Sequence, residues 1–181
     1  AASKLCVPVT VLGNGYKTLV RDGGVPWLTL LIADGMAEVS DPVPLPDGRY
    51  ALTAQAGAPL TKLANAAADA SLAGLEFAAG IPGTVGGAVA MNAGAYGGEI
   101  KDVLLGATCV GMTGETNHYT NADMHLGYRQ SRLNDPSLPR ELLTSATFAL
   151  APGDGDAIRV AMREFNARRR EKQPITLPCC G

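Results

Sequence analysis

Arg129 sits in the run Tyr128-Arg129-Gln130-Ser131, among polar residues and glycine rather than on a charged helical face. A guanidinium is permanently charged and can grip a carboxylate through two parallel hydrogen bonds, so this arginine is a candidate carboxylate ligand. The plainer alternative is a surface salt bridge. A second kind of chemistry is written in glycine. Residues 76–100, EFAAGIPGTVGGAVAMNAGAYGGEI, hold seven glycines, although a Gly within a regular element costs roughly 0.5–1 kcal/mol relative to Ala. In Gly80, Ile81, Pro82, Gly83, Thr84, Val85, Gly86 and Gly87, several N–H groups and one hydroxyl would suit a diphosphate, and the apolar neighbours a flat ring system. A close helix–strand crossing would also call for glycine. Asn92, Gly94 and Tyr96 add polar handles that a mere packing loop does not need. Earlier, Gly13-Asn14-Gly15 follows a short apolar run. Gly-x-Gly after a buried strand lets amides crowd an anion, or simply makes a tight turn.

Other chemistries find no support. His118 and His125 have no acidic or Cys neighbours at metal-ligand spacing, so they read as surface histidines and no metal is expected. No Gly-x-Ser-x-Gly nucleophile motif occurs, and no G-x-G-x-x-G opens a helix with an acidic residue about 20 positions on, which removes the Rossmann reading. The net charge of −2 and the 5% aromatic content give no general attraction to nucleic acid or anionic membrane. Cys6, Cys109 and the adjacent Cys179–Cys180 form neither a metal knuckle nor a spaced disulfide framework; free thiols in a reducing compartment are the expectation. With no run of about 20 apolar residues and no signal peptide, the chain reads as soluble and cytoplasmic.

The elements that must position these residues follow from periodicity. At 46% hydrophobic and 18% charged, 181 residues can bury a core as about one domain. Residues 1–7 read as the tail of a helix. Val9–Leu12, Leu28–Ile32 and Tyr50–Ala56 read as strands, with Pro42, Pro44, Pro46 and Asp47-Gly48 between the last two as a loop. Pro59 opens a helix with Leu60, Leu63, Ala64, Ala67 and Leu72 on its buried face. After the glycine block come strands Val103–Val110, Thr116–Thr120 and Glu141–Leu150. A helix over Ala157–Glu171, capped by Asp154 or Asp156, carries the apolar stripe Ile158, Ala161, Met162 and Phe165 and is stopped by Pro174. Arg168, Arg169, Arg170 and Lys172 complement its negative end. The order is mixed α+β around two Gly-rich loops, with no strict βαβ alternation.

The chain resembles the UDP-N-acetylenolpyruvoylglucosamine reductases (UDP-N-acetylmuramate dehydrogenases), flavoenzymes of peptidoglycan precursor synthesis. The resemblance rests on VLGNG…LVRDGG, on GLEFAAGIPGTVGGAVAMNAGAYGGEIKDV (74–103), on GYRQS (127–131) and on RRREKQPITLPCCG (168–181), in the family's order along nearly the whole chain. It implies the two-subdomain α+β fold of vanillyl-alcohol-oxidase (PCMH) type, with FAD between the subdomains. The FAD-binding domain would cover 1–150, divided into 1–57 and 58–150, and 151–181 would be a helix and the start of a linker. By resemblance, Gly13, Asn14, Gly15, Tyr16, Lys17, Thr18 and Leu19 and the block Gly80–Gly87 face the FAD diphosphate, with Asn92, Gly94 and Ala95 near the flavin. NADPH would be the co-substrate, a UDP-sugar enolpyruvyl ether the substrate, and the protein a monomer. Arg129 takes the place of the family's arginine at the substrate carboxylate, and Tyr96 and Lys172 lie near positions that handle substrate.

Three departures qualify what the resemblance implies. Gly15-Tyr16-Lys17 stands where the family has Gly-Ser-Asn, so Tyr16 must point away from a diphosphate. The family's first FAD-contacting strand has no counterpart upstream. The sequence ends at Pro178-Cys179-Cys180-Gly181, before the family's proton-donating serine and the domain that carries its assisting glutamate. The expectation is therefore the central portion of a reductase, incomplete for turnover alone, with a catalytically incompetent FAD-binding remnant as the alternative.

Overall fold

In the computed structural model, the described residues are 7–173. The expected helical tail before Val7, the stop at Pro174, and Cys6, Cys179 and Cys180 lie outside them. The β-branched and leucine-rich runs Val9–Leu12 (β1) and Leu28–Leu31 (β2) pair in parallel, from Val9 against Leu28 to Leu12 against Leu31. The Trp27 indole N–H donates to the Thr10 hydroxyl at 2.6 Å across this small sheet. The loop that joins the two strands turns through Gly15 and Gly24 at φ +73° and +70°, in the left-handed region that glycine enters without steric cost.

The main sheet is built around one long strand, β10 (Glu141–Pro152). On one side it pairs antiparallel with β4 (Tyr50–Gln55), which in turn pairs with β3 (Val43–Pro44). On the other side it pairs with β8 (Leu104–Gly111), which pairs with β9 (Thr116–Thr120). The short β5 (Leu72–Ala73) pairs with the C-terminal end of β10. β3 and β4 lie before residue 57 yet share a sheet with β8 and β10, so this sheet crosses the expected division at 57/58. Between β5 and β8 the chain makes a hairpin of β6 (Gly94–Ala95) and β7 (Gly98–Glu99).

Among the described residues, four α-helices complete the fold: α1 (Leu60–Asp69), α2 (Val85–Ala90), α3 (Ile100–Val103) and α4 (Gly155–Lys172). Pro59 occupies the capping position just before α1, one residue earlier than expected. Its missing N–H still costs nothing there, because no intrahelical partner exists at that position. Leu72 belongs to β5 rather than to α1: Ser71 turns the chain at φ +55° first. The α1 face instead buries Leu60, Leu63, Ala64, Ala67 and Ala68. These residues join Leu52, Ala54, Ala146, Phe148 and Leu150 of the sheet, Val85 and Val89 of α2, and Ile158 and Met162 of α4 in one core. Asp154 caps α4 by accepting from the amides of Asp156 and Ala157. β10 runs two residues past its expected end, because β5 supplies a partner there.

Cys109 is free and buried in this core, and burial pushes its thiol up to about 12, so it stays protonated and packs as a small hydrophobe. No helix among the described residues is long and apolar enough to cross a membrane. Phe148 is fully buried on the central strand. Phe148→Ala is expected to lower unfolding free energy by about 3–5 kcal/mol in denaturant titration, against under about 0.5 kcal/mol for Val43→Ala on the exposed edge strand.

Candidate functional site

The glycine block is held against the end of β4 by main-chain bonds. Leu60 N–H donates to the Gly83 carbonyl at 3.0 Å, Val85 N–H to Ala58 at 2.8 Å and Gly86 N–H to Ala56 at 2.8 Å. Thr84 then starts α2 as its N-cap, its hydroxyl accepting from the Gly87 amide at 3.3 Å. A helix here was not expected from the sequence, because glycine at two of its six positions hides the helical pattern; the Thr84-x-x-Gly spacing was its signal. Thr84 also touches the other glycine loop: a Cβ on Gly13 would collide with the Thr84 hydroxyl and lie 3.1 Å from its methyl. The structure therefore brings Gly13 and Gly80–Gly87 together.

The glycines of the block have different physical reasons. A Cβ on Gly80 would lie 2.6 Å from Asn166 Oδ1 of α4, and one on Gly94 would lie 2.8 Å from the Gly98 carbonyl. On Gly86 it would sit 3.1 Å from the Ala56 carbonyl. Protein atoms account for these three. Gly83 has φ +118° and open space around its Cβ position. Gly87 is the exception: its φ is ordinary for a helix, and a Cβ would meet only Thr84 Oγ1 at 3.6 Å, a normal contact. Alanine in a helix is favoured over glycine by about 0.8–1.0 kcal/mol. Among the described residues, no packing contact explains why Gly87 lacks a side chain. Gly15, also open and at positive φ, lies in the loop that reaches Thr84 through Gly13. Gly15, Gly83 and Gly87 leave the main chain uncovered along this edge. Tyr16 is 50% exposed and Lys17, Thr18 and Leu19 are exposed.

Beyond α2 lies a cavity of about 250 Å³, lined by Asn92, Gly94, Ala95, Tyr96, Gly97, Gly98, Glu99, Tyr128 and Arg129. It unites the residues expected near the flavin with the expected carboxylate ligand, from segments about thirty residues apart. Buried Asn92 makes that junction: its side-chain N–H₂ donates to Glu99 Oε2 at 2.8 Å and to the Gly127 carbonyl at 3.1 Å, while its oxygen accepts from the Lys101 amide at 2.9 Å. The Lys101 ammonium, 2.8 Å from Glu99, and the Asn92 amide hold the Glu99 carboxyl below the usual range. Glu99 is thus already paired. Arg129 is exposed, lies over the Tyr128 ring at 5.6 Å, and forms no ion pair among the described residues. The salt-bridge alternative has no partner there. Tyr96, at φ +54°, stacks flat on Phe165 of α4 with centroids 4.6 Å apart, fixing one wall of the cavity. Lys172 lies in the last turn of α4 and does not line the cavity. Tyr128, Glu99 and Gly127 were not singled out from sequence, and only Tyr128's place beside Arg129 hinted at it.

A larger groove of about 520 Å³ lies over Thr53, Gln55 and Lys62, but its polar groups already serve one another: Gln55 accepts from the Glu38 amide and Lys62 donates to the Ala37 carbonyl. Behind the Arg129 loop, the Glu141 side chain is only 5% exposed. It accepts from Asn117 Nδ2 at 2.7 Å, the Tyr119 hydroxyl at 2.8 Å and Arg132 Nε at 3.2 Å, with Arg132 stacked on Tyr119 at 4.2 Å. Burial alone would push the carboxyl up, but these three donors outweigh it and hold Glu141 below its ordinary value.

These observations define a class. The FAD binding domain family matches residues 1–120, and the chain belongs to that family. Its fold is shared with a VAO-type flavoprotein from Myceliophthora thermophila, at TM-score 0.55 and 15% identity, over 83% of this chain and 28% of that one. Within the class the resemblance is to the UDP-N-acetylenolpyruvoylglucosamine reductases. The Levilactobacillus brevis reductase is 44% identical over 99% of this chain and 56% of that protein. The crystal structure of the Thermus caldophilus enzyme superposes with TM-score 0.77 at 32% identity, covering 92% of this chain and 57% of that one. The chain thus spans a little over half the length of the relatives it matches.

Two outcomes test this geometry without ligand. Gly87→Ala should raise the stability of the apo protein by up to about 1 kcal/mol, whereas Gly86→Ala, pressed on a carbonyl, should lower it by about 1 kcal/mol; melts of the two variants check the contrast. Glu141, depressed when folded, contributes stability present above its unfolded value of about 4.5 and lost as pH falls through the lower folded value. Glu141→Gln should therefore cost stability at pH 7 and flatten the acid limb of a stability–pH profile below about 4.5.

Proposed function

We propose that this chain forms the FAD-binding portion of an NADPH-dependent reductase. The reaction would add a hydride and a proton across the enolpyruvyl ether double bond of UDP-N-acetylenolpyruvoylglucosamine, giving UDP-N-acetylmuramate. The observation that carries the reading is the cavity itself, where an arginine with no ion-pair partner among the described residues faces the Asn92–Glu99 hairpin. When bound, FAD would supply a two-electron carrier between NADPH and the terminal alkene carbon.

This chain's own residues would bind and orient the reactants and stabilise charge; none of them is assigned as the proton donor. Gly15, Gly83 and Gly87 leave the main chain open for the diphosphate, and Thr84 ties their two loops together. Arg129 orients the substrate by its carboxylate. As hydride adds to the terminal carbon, negative charge grows on the adjacent carbon and spreads into that carboxylate. A fixed cation there gains interaction energy as the charge develops, which lowers the barrier rather than only tightening binding. The Glu99 carboxylate is hydrogen-bonded by Lys101 and Asn92, and the Arg129 charge acts on it only as a lesser influence. The aligned Tyr96–Phe165 pair keeps the cavity wall firm while charge moves inside it.

Arg129→Ala in the flavin-loaded protein expressed from its complete source gene should lower kcat by about 10²–10³-fold, the loss expected of one preorganised electrostatic contact, with flavin content unchanged. Arg129→Lys should restore little, since a point charge cannot reproduce a two-bond grip. NADPH oxidation driven by the enolpyruvyl substrate reads the effect. Wild-type turnover in the alanine variant would remove Arg129 from the reaction, and no substrate-dependent oxidation in the parent would reject the reading.

A further inference from the structure

The Arg129 guanidinium has no ion pair among the described residues, so something other than a carboxylate must aim it. Its backbone is unusual: φ is +55°, a left-handed conformation that non-glycine side chains adopt only when their surroundings impose it. Upstream, Gly127 and Gln130 exchange main-chain hydrogen bonds at 3.0 and 3.1 Å, and Asn92 holds the Gly127 carbonyl. Downstream, one side chain reaches the arginine's own peptide. Asn134 Nδ2 donates to the Arg129 carbonyl at 3.2 Å and to the Ala90 carbonyl at 3.1 Å. Its oxygen accepts from the Ser131 amide at 2.8 Å, closing a reciprocal cap with the Ser131 hydroxyl. That hydroxyl, on a side chain only 1% exposed, also donates to the Ala90 carbonyl at 2.8 Å. Ala90 is the last residue of α2, the helix that begins at Thr84 in the glycine block.

We infer that Asn134 is the positioning residue for Arg129: its amide ties the Arg129 carbonyl to the end of α2 and so sets the arginine's place relative to the cofactor block. This rests on the role of Arg129 given above. The geometry separates the two jobs in the loop. Ser131 is buried and anchors the loop to the protein, whereas Asn134 is exposed and makes the direct bond to residue 129. Loss of Asn134 leaves the Ser131 anchor and the Glu141–Arg132 pair intact, so the fold persists while the left-handed residue loses its restraint. A shift of about 1 Å in a positioning group can lower turnover about a hundredfold.

The test is a double-mutant cycle in the flavin-loaded protein from the complete source gene, with Arg129→Ala, Asn134→Ala and both together. Melting temperature and flavin absorbance are read alongside kcat and KM. Expected for Asn134→Ala are a fall of about tenfold to a hundredfold in kcat, unchanged flavin content, and a melt close to wild type. In the Arg129→Ala background the same change should cost nothing further, because residues that act through one another are not additive. Additive losses would overturn the inference by making Asn134 an independent structural contact, and so would wild-type kcat in Asn134→Ala. If Asn134→Ala does not fold, Asn134→Ser, which can still accept from Ser131 but cannot span to both carbonyls, takes its place. Failure of both to fold makes the residue structural and rejects the inference. Wild-type turnover in Arg129→Ala alone identifies the other failure, that of the Arg129 reading, and takes this inference with it.

Discussion

The hydrogen bond from the Gly86 amide to the Ala56 carbonyl, 2.8 Å long, is the contact on which the site depends. A Cβ on Gly86 would press on that same carbonyl at 3.1 Å, tighter than an ordinary contact. With the neighbouring bonds from Val85 and Leu60, it docks the glycine block against the end of β4, beside β10. From that fixed start, α2 carries the chain to Ala90, whose carbonyl receives Ser131 and Asn134. Thr84, at the head of the same helix, meets Gly13. One short helix therefore has the two glycine loops at one end and the arginine loop at the other.

Charge is distributed with the same economy. Each carboxylate near the cavity or behind its loop is already engaged: Glu99 by Lys101 and Asn92, and Glu141 by Arg132, Tyr119 and Asn117. With these pairings made, Arg129 forms no direct ion pair among the described residues. Glu141 lies in a drier place than Glu99, and its three donors meet the cost of burying it. Arg132, stacked on the Tyr119 ring and bonded to Glu141, lies under a loop that otherwise runs along the surface.

Most of the regular elements were legible from periodicity, because β4, β8, β9, β10 and α4 alternate or repeat cleanly between turn residues. Thr116–Thr120 agrees end to end. The misplaced pieces have local causes. Leu72 continues the α1 spacing, but a positive φ at Ser71 sends it into a strand. α2 was hidden because glycine carries no periodic signal. For the site, Arg129, Asn92 and the hairpin residues were visible as unusual types in unusual surroundings, while their meeting in one cavity was not, since it depends on where α2 points. Asn134 and Glu141 were invisible for a different reason. An asparagine after a leucine and a glutamate before one look like ordinary surface residues until the loop closes on them. Composition alone could not divide the glycines, either: the structure assigns Gly80, Gly86 and Gly94 to packing against protein and leaves Gly87 without a packing reason.

The central claim is that the cavity between the Asn92–Glu99 hairpin and Arg129 is where an enolpyruvyl carboxylate meets a flavin. A crystal structure of the flavin-loaded protein with the UDP-sugar enolpyruvyl ether bound tests it most directly. The account predicts the isoalloxazine against Asn92, Gly94 and Ala95, and the substrate carboxylate about 2.7–2.9 Å from two Arg129 guanidinium nitrogens. A carboxylate held elsewhere, with Arg129 left in solvent, would contradict it.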